Sequence, residues 1–196
     1  EGVKELVLVA QETTLYGKDL TGEKQLPLLL HELCKIEGIE WIRLLYCYPE
    51  EITDELIEAI KTEEKVCNYI DMPIQHSENR ILQRMGRRTS REDLVAVIKK
   101  LRQEIPDITI RTTLITGFPG ESEEDHEGLM NFVEECKFDR LGVFTYSPEE
   151  DTLAATFEDQ IDEEVKEARR DELMSLQQEI SYEHTQQLVG KTIKVM

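Results

Sequence analysis

The sequence predicts an α/β protein whose parallel βα units form a partial, TIM-like (β/α) barrel. Five short apolar runs, each followed by a turn-rich stretch, alternate with segments whose apolar residues recur at helical spacing. Such alternation is typical of parallel strands connected by helices. A complete eight-unit barrel takes roughly 250 residues. Five strands within 196 residues therefore favour a partial barrel, and an open doubly wound sheet is the alternative fold.

The predicted strands are continuous apolar runs of the kind found in strands that are buried on both faces. They cover residues 5–10, 41–46, 69–74, 109–115 and 141–146. In either fold, ligands bind beyond the carboxyl ends of such strands. We therefore expect the functional residues in the stretches that follow them.

Capping signals mark three of the intervening helices. Ser90 with Asp93, and Ser122 with Asp125, have the spacing of a capping box. Thr53 precedes a third apolar stripe at helical spacing. These positions predict where the three helices begin.

The last quarter of the chain departs from this pattern. Residues 149–162 are acidic and irregular, whereas residues 163–188 return to helical spacing and predict a helix packed outside the barrel. Residues 192–196 alternate as if they began a strand of another domain. We therefore expect a core over residues 1–188 and the start of a second domain over residues 189–196.

Composition narrows the classes of function. No apolar run approaches the roughly 18 residues of a membrane span, and the chain opens with neither Met nor a secretory signal. We expect a trimmed chain of a cytoplasmic protein that does not contact membranes. The 42 acidic and 23 basic residues give a net charge of −19, which favours a basic protein partner over nucleic acid, unless the acidic surface serves only solubility.

The four cysteines Cys34, Cys47, Cys67 and Cys136 are scattered and show no CxxC spacing. They therefore indicate neither a metal site nor a disulfide framework. Cys34 and Cys136 lie on apolar helical faces, where cysteine acts as a small hydrophobic residue. Cys47 lies beside a strand end, and its role is left open.

Polar and aromatic side chains at the strand ends converge on one rim of the predicted barrel. Gln11 ends the first strand, Gln75 and His76 end the third, and Phe144 and Tyr146 offer stacking surfaces on the fifth. This convergence predicts a pocket for a polar organic ligand with aromatic parts, such as a nucleoside. Capping and turn roles are the alternative for part of this set.

The segment GFPGE at residues 117–121 closes the fourth strand and leads into a capped helix. Its glycines and free N–H groups would let a ligand approach the backbone closely, although such turns also form for steric reasons alone. Arg111, Thr112 and Thr113 lie on the strand before it. In a buried strand, such side chains need a partner or a ligand.

Two charged clusters receive different interpretations. Residues 149–151 are consecutive loop carboxylates, which form a solvated surface and not a catalytic pair. A basic patch would hold a phosphate or a carboxylate, or else form surface ion pairs. The patch consists of Arg84, Arg87, Arg88 and Arg91.

The ordered motifs together resemble one family. LVLVAQETTLYG, IRLLYCYP, DMPIQH followed by RILQRMGRR, TTLITGFPGE and FTYSPEEDT occur in the order seen in RimO-type methylthiotransferases of the radical S-adenosylmethionine (SAM) superfamily. The resemblance spans nearly the whole chain. MiaB-type enzymes, which act on transfer RNA, resemble it at GFPGE and YSP but usually differ at AQETT, YCYP and IQH.

The resemblance implies the partial (β/α) barrel of radical SAM enzymes, lacking its first strand and cluster loop in this chain. It also implies β-methylthiolation of an aspartyl residue of small ribosomal subunit protein twelve, with an electron-donor protein as a further partner. In the family, a reduced 4Fe-4S cluster cleaves SAM to a 5'-deoxyadenosyl radical, because side-chain bases cannot deprotonate such a C–H bond. A second 4Fe-4S cluster of the full-length enzyme takes part in sulfur delivery.

The chain departs from the family pattern at its start. The family's CxxxCxxC loop should lie upstream of Glu1, so we assign no cluster ligand to any cysteine here. The N-terminal methylthiotransferase domain and most of the carboxyl-terminal TRAM domain are also expected outside the chain. We predict that this chain alone is inactive.

For SAM, the resemblance points to the strand ends. Amide and guanidinium groups suit its ribose and methionyl atoms, glycines allow close approach, and a Phe suits the adenine face. The candidates are Gln11, Gln75, Arg111, Thr113, Gly117, Phe118, Pro119, Gly120 and Phe144. No catalytic residue is assigned.

Three other functions are left open by the sequence. A transfer-RNA adenosine methylthiotransferase would need a positive surface, which the net charge argues against. A noncatalytic binding scaffold is favoured if no upstream cluster loop exists. A phosphate-binding barrel enzyme that relies on GFPGE lacks a credible base or nucleophile.

Overall fold

A computed structural model of the chain describes residues 2–193. The described part contains five parallel strands and seven α-helices, which alternate through the core. The strands are β1 (Glu5–Leu8), β2 (Trp41–Leu44), β3 (Tyr69–Asp71), β4 (Thr109–Thr116) and β5 (Arg140–Thr145). The helices are α1 (Lys18–Thr21), α2 (Leu26–Cys34), α3 (Asp54–Thr62), α4 (Asn79–Arg84), α5 (Arg91–Glu104), α6 (Glu123–Cys136) and α7 (Glu163–Gln186).

The strands lie side by side in chain order. β1 pairs with β2, and β3, β4 and β5 form a second parallel ladder. Backbone hydrogen bonds join the two ladders, because Ile42 N–H donates to Lys65 O (2.7 Å) and Cys67 N–H donates to Ile42 O (2.9 Å). A doubly wound sheet reverses its strand order at a switch point, and this one does not. The predicted partial barrel is therefore confirmed as an arc that does not close.

One face of the arc is covered by helices, and the other is open. Along β4, Ile110, Thr112 and Leu114 are buried, whereas the side chain of Arg111 is 45% exposed. The prediction that the strands are buried on both faces is therefore wrong. A partial barrel leaves its concave face accessible, so alternate side chains of the same strand meet different surroundings.

The predicted helix starts are confirmed by their capping hydrogen bonds. The Ser90 and Ser122 hydroxyls accept the N–H groups of Asp93 (3.1 Å) and Asp125 (3.2 Å), and each carboxylate accepts the N–H of its serine in return. Thr53 caps α3 through the N–H of Leu56 (3.2 Å). These local bonds satisfy N–H groups that the first turn of a helix leaves free.

The core lies between the convex face of the strands and the helices. Phe132 on α6 and Phe138 after it are fully buried, with their ring centroids 6.0 Å apart. α7 packs Leu173 and Ile180 into the same core, against β5 and α6. The predicted helix outside the barrel is thus confirmed. None of the described helices has the length and apolar character that a membrane span requires.

The strand predicted over residues 192–196 falls mostly outside the described residues. Thr192 and Ile193 are irregular, and the remaining three positions are not described. The third strand is shorter than predicted, because Pro73 cannot donate a ladder hydrogen bond. Parallel pairing resumes after it as a single bridge between Gln75 and Leu114.

Candidate functional site

A cleft of about 740 Å³, here called the rim cleft, opens on the concave face. Every strand, or the segment just beyond its carboxyl end, contributes to its lining. It contains five of the predicted cofactor residues, namely Gln11, Gln75, Arg111, Thr113 and Phe144. Val9, Ala10, Tyr46, Tyr48, Asp71 and Pro73 complete the lining. The convergence predicted from the strand ends is therefore found in the fold for these five predicted residues, whereas His76 is buried and lines no part of this cleft.

A second cleft of about 680 Å³, here called the outer cleft, adjoins the first. The two share Gln75, Thr113 and Phe144. The outer cleft is more apolar, because Ile115, Phe118, Tyr146, Leu153 and Ala154 line it. The side chain of Phe144 is largely exposed between the two and offers a ring face to a ligand in either cleft.

Paired charges form the floor of the concave face. Arg111 Nη1 donates to Asp71 Oδ1 at 2.7 Å, and Arg43 Nε donates to Glu5 Oε1 at 2.6 Å. The Arg43 guanidinium lies 4.8 Å from the ring centroid of Tyr69. Burial and the Asp71 charge raise the pKa of the Tyr69 phenol, although Arg111 and Arg43 partly oppose this. The described floor therefore keeps its charges next to partners of opposite sign.

Two residues of the rim cleft adopt a left-handed backbone without being glycine. Tyr46 has φ +56° and Gln75 has φ +72°, a region that costs roughly 1–2 kcal/mol for a residue with a Cβ. Gln75 is held from both sides, because its N–H donates to Thr113 O (3.0 Å) and its carbonyl accepts the N–H of Ile115 (2.8 Å). Strain of this kind is concentrated at functional sites.

The glycines of the GFPGE loop pack against side chains from later in the chain. Gly117 and Gly120 both have positive φ, and a Cβ at either position would collide with the side chain of Lys166 or Asp159, respectively. Phe118 packs edge-on against Tyr146 at 5.1 Å and lines the outer cleft. Gly117, Pro119 and Gly120 line neither cleft, so their contact with a cofactor stays a prediction.

A fully buried carboxylate holds this loop in place. Glu121 accepts hydrogen bonds from Gly117 N–H (2.8 Å), the Thr116 hydroxyl (3.2 Å) and Arg169 Nη1 (2.9 Å). His76 Nε2 lies 3.4 Å from the same carboxylate. Burial acts to raise the pKa of Glu121, but His76, Arg169 and the Gly117 N–H outweigh it and lower the pKa overall. Glu121 is therefore an ionised group buried among its partners.

The sequence signals gave no indication of the partners of the basic patch. Arg84 binds Asp159 (2.7 Å), Arg91 pairs with Glu78, and Arg87 donates to the carbonyl of Pro73 (3.0 Å). Arg88 is exposed, and within residues 2–193 it contacts no acidic group. Ion pairing therefore accounts for Arg84 and Arg91, whereas Arg87 and Arg88 pair with no carboxylate among the described residues.

The cysteines do not fit an iron–sulfur cluster. Cys47 and Cys136 are buried, Cys34 and Cys67 are half-buried, and no three metal-ligating side chains converge among the described residues. Burial raises the pKa of Cys136 to about 11 and that of Cys47 still further above its usual range. A cluster needs thiolates, which these positions disfavour. The rim cleft, by contrast, offers a cation, amides and a ring face, which suit a polar organic ligand with aromatic parts.

Comparison with protein families identifies the superfamily. The model of the radical SAM superfamily matches residues 1–133. The chain is 63% identical over 195 residues to ribosomal protein uS12 methylthiotransferase RimO of Lachnoclostridium phytofermentans, and 58% identical over 195 residues to the protein of that name in Clostridium perfringens. Both alignments cover 100% of this chain and 44% of the relative. The chain therefore spans less than half the length of these relatives.

Comparison with solved structures supports the fold. Coproporphyrinogen III oxidase HemN of Escherichia coli, a radical SAM enzyme, superposes with a TM-score of 0.66 over 94% of this chain and 40% of that one. The two sequences are 20% identical, so the likeness concerns the fold alone.

Replacing the buried carboxylate at position 121 should destabilise the protein. We expect Glu121→Gln to lower the free energy of unfolding by about 3–5 kcal/mol, because it leaves Arg169 buried without its charged partner. Because the folded-state pKa of Glu121 is lowered, its contribution is present above the unfolded pKa of about 4.3. That contribution is lost as the pH falls through the folded value.

Denaturant unfolding of both proteins between about pH 3 and pH 7 tests this expectation. Glu123→Gln is the matched control, because Glu123 also binds Arg169 (3.2 Å) but is largely exposed. We expect this control to change stability by less than about 1 kcal/mol. A gap between wild type and Glu121→Gln that does not shrink at low pH would contradict the assignment of an ionised Glu121.

Proposed function

The chain belongs to the radical SAM superfamily, and on this basis we propose that its whole protein is a methylthiotransferase. The proposed reaction adds a methylthio group to the β-carbon of an aspartyl residue in ribosomal protein uS12. The observation that carries the proposal is 63% identity, along the full length of this chain, to a protein named for that activity. We take the rim cleft as the proposed site of this reaction.

Within the rim cleft, the residues of this chain suit the separate parts of SAM. We assign Arg111 to the methionyl carboxylate, Gln11 and Gln75 to ribose and amino groups, and the exposed ring of Phe144 to adenine. Thr113 lies between the two clefts and offers a hydroxyl to either. SAM, when bound, supplies the 5'-deoxyadenosyl group and a methyl group.

The GFPGE residues take a supporting part in this proposal. Phe118 forms a wall of the outer cleft. Gly117, Pro119 and Gly120 shape the turn that presents it, because Gly117 and Gly120 have positive φ and a Cβ at either would force a neighbouring side chain to shift. Their part in SAM binding is therefore proposed to be indirect.

The cluster ligands are proposed to come from a part of the whole protein other than this chain. Residues 1–188 then form the greater part of the radical SAM core, and residues 189–196 lead into a TRAM domain. Two 4Fe-4S clusters and an electron-donor protein complete the proposed system in the cytoplasm. No contact with a membrane is part of the proposal.

The acidic surface suits a basic protein substrate. A net charge of −19 repels the phosphate backbone of transfer RNA and attracts a cationic ribosomal protein. The transfer-RNA adenosine methylthiotransferase is therefore the second candidate, and a noncatalytic scaffold is the third. Product analysis separates all three.

We expect the full-length, anaerobically reconstituted protein to methylthiolate a peptide from uS12 and not transfer RNA. The assay supplies SAM, sulfide and a reductant, and mass spectrometry analyses peptide and transfer RNA in parallel. A peptide with Asn in place of the target Asp is the control for the acceptor. Modification of an adenosine instead would identify the transfer-RNA enzyme, and no product on either acceptor would favour a scaffold.

Arg111→Ala should weaken SAM binding in the full-length protein by roughly tenfold or more, because one charge-assisted hydrogen bond is lost. Equilibrium binding of SAM provides the measurement. Arg170→Ala is the matched control, since Arg170 lies on the outside of α7 and pairs with the neighbouring Asp171. Unchanged affinity in Arg111→Ala would remove Arg111 from the site.

The 196-residue chain by itself should bind no cluster and show no activity after anaerobic iron and sulfide reconstitution, since its described cysteines do not converge. Iron and sulfide analysis, together with the visible absorption spectrum, provides the measurement. Two equivalents of tightly bound cluster on this chain would overturn the assignment of the ligands to another part of the protein.

A further inference from the structure

We propose that Asp71 is the positioning residue of the rim cleft, which holds both Arg111 and Tyr46 in place before a ligand binds. The inference rests on the proposed function, because it takes the rim cleft as the binding site for SAM. Asp71 itself is only 2% exposed, so it acts on a ligand through the two groups that it holds.

Each oxygen of the Asp71 carboxylate accepts a hydrogen bond from a different residue that lines the cleft. Oδ1 accepts the hydrogen bond from Arg111 Nη1 at 2.7 Å, and Oδ2 accepts the backbone N–H of Tyr46 at 3.1 Å. Asp71 and Arg111 are also direct neighbours in the register of β3 and β4. One buried side chain at the end of β3 thus connects the segment just beyond β2 with the first half of β4.

The bond to Tyr46 stabilises a strained backbone. Tyr46 is a non-glycine residue at φ +56°, and its conformation persists only because its surroundings hold it. Thr13 N–H donates to the Tyr46 carbonyl (2.9 Å), so both backbone polar groups of this residue are bound. The conformation keeps the half-exposed Tyr46 side chain in the lining of the cleft.

The bond to Arg111 orders a long and flexible side chain. Asp71 binds one terminal nitrogen of the guanidinium at 2.7 Å. The side chain is still 45% exposed in the cleft, so N–H donors remain for a ligand. A guanidinium that is already oriented presents a rigid fork to a carboxylate and loses less entropy on binding.

The proposed reaction involves two carboxylates that suit binding by the Arg111 guanidinium. One is the methionyl carboxylate of SAM, and the other is the side chain of the aspartyl acceptor. Both would bind Arg111 through the same pair of N–H groups. Separate measurements of SAM affinity and of the KM for the acceptor peptide distinguish them.

The test is Asp71→Asn in the full-length, reconstituted protein. An amide at this position keeps the size of the carboxylate but loses its charge, and it directs an NH2 group at one of the two donors. We expect SAM affinity, or the KM for the peptide, to worsen by roughly tenfold to a hundredfold. The kcat at saturating concentrations should change far less, because Asp71 touches no reacting atom.

A double-variant cycle separates positioning from a general structural effect. If Asp71 acts through Arg111, Asp71→Asn should lower affinity far less in the Arg111→Ala protein than in the wild type, and the loss that remains is the part that passes through Tyr46. Effects that multiply, or wild-type affinity in Asp71→Asn, would overturn the inference. Asp107→Asn is the matched control, since Asp107 accepts a hydrogen bond from Asn68 (2.8 Å) outside the cleft.

If Asp71→Asn is too unstable to purify, the same measurements are made in a Tyr46→Gly background. Glycine adopts the left-handed backbone without strain, so residue 46 no longer needs its hydrogen bond to Asp71. Arg111 still needs Asp71 to orient its guanidinium.

SAM binding does not depend on which acceptor is modified. Wild-type protein that binds SAM but modifies no uS12 peptide would therefore contradict the proposed function, while the variant affinities still decide the role of Asp71.

Discussion

The buried carboxylate of Glu121 connects the parts of the chain on which the site depends. It binds the Gly117 N–H of its own loop and, through Arg169, attaches α7 to the end of β4. His76, in the segment between β3 and α4, approaches the same group. A buried charge is tolerated only where several partners surround it. The arrangement of loop, strand end and outer helix is therefore interdependent, and it fixes where Phe118 meets the outer cleft.

The concave face of the arc carries charged side chains that must be stabilised when no ligand is bound. A partial barrel must carry polar side chains on its concave face to bind a polar ligand, yet unpaired charges there would destabilise the empty protein. Pairs across neighbouring strands, Arg43 with Glu5 and Arg111 with Asp71, resolve the conflict. Parallel register sets the Asp71–Arg111 pair directly side by side. The polar chemistry of the cleft is thus a consequence of strand pairing as much as of residue type.

The sequence predicted those features that local interactions determine. The capping boxes at Ser90 and Ser122, the alternation of strands and helices, and the convergence of strand-end side chains on one cleft all follow from spacing along the chain. Features that depend on distant residues were not predictable. No local signal marks Tyr46 as left-handed, and the partner of Arg84 lies 75 residues away at Asp159. The glycines of GFPGE suggested a ligand, but in the fold they make room for Lys166 and Asp159.

The strongly acidic character of the chain is compatible with binding the carboxylate of the proposed ligand, because the two effects act at different distances. Exposed charges are screened beyond about 8–10 Å at physiological ionic strength, so the net charge of −19 influences mainly the approach of a large partner. A carboxylate inside the rim cleft interacts instead with Arg111 at contact distance, where screening is weak. The Asp71 carboxylate next to it does not abolish this attraction, because a guanidinium has five donors and Asp71 occupies only part of them. In the proposed function, the averaged surface charge therefore influences which large partner approaches, and the oriented guanidinium of Arg111 binds the carboxylate of the ligand.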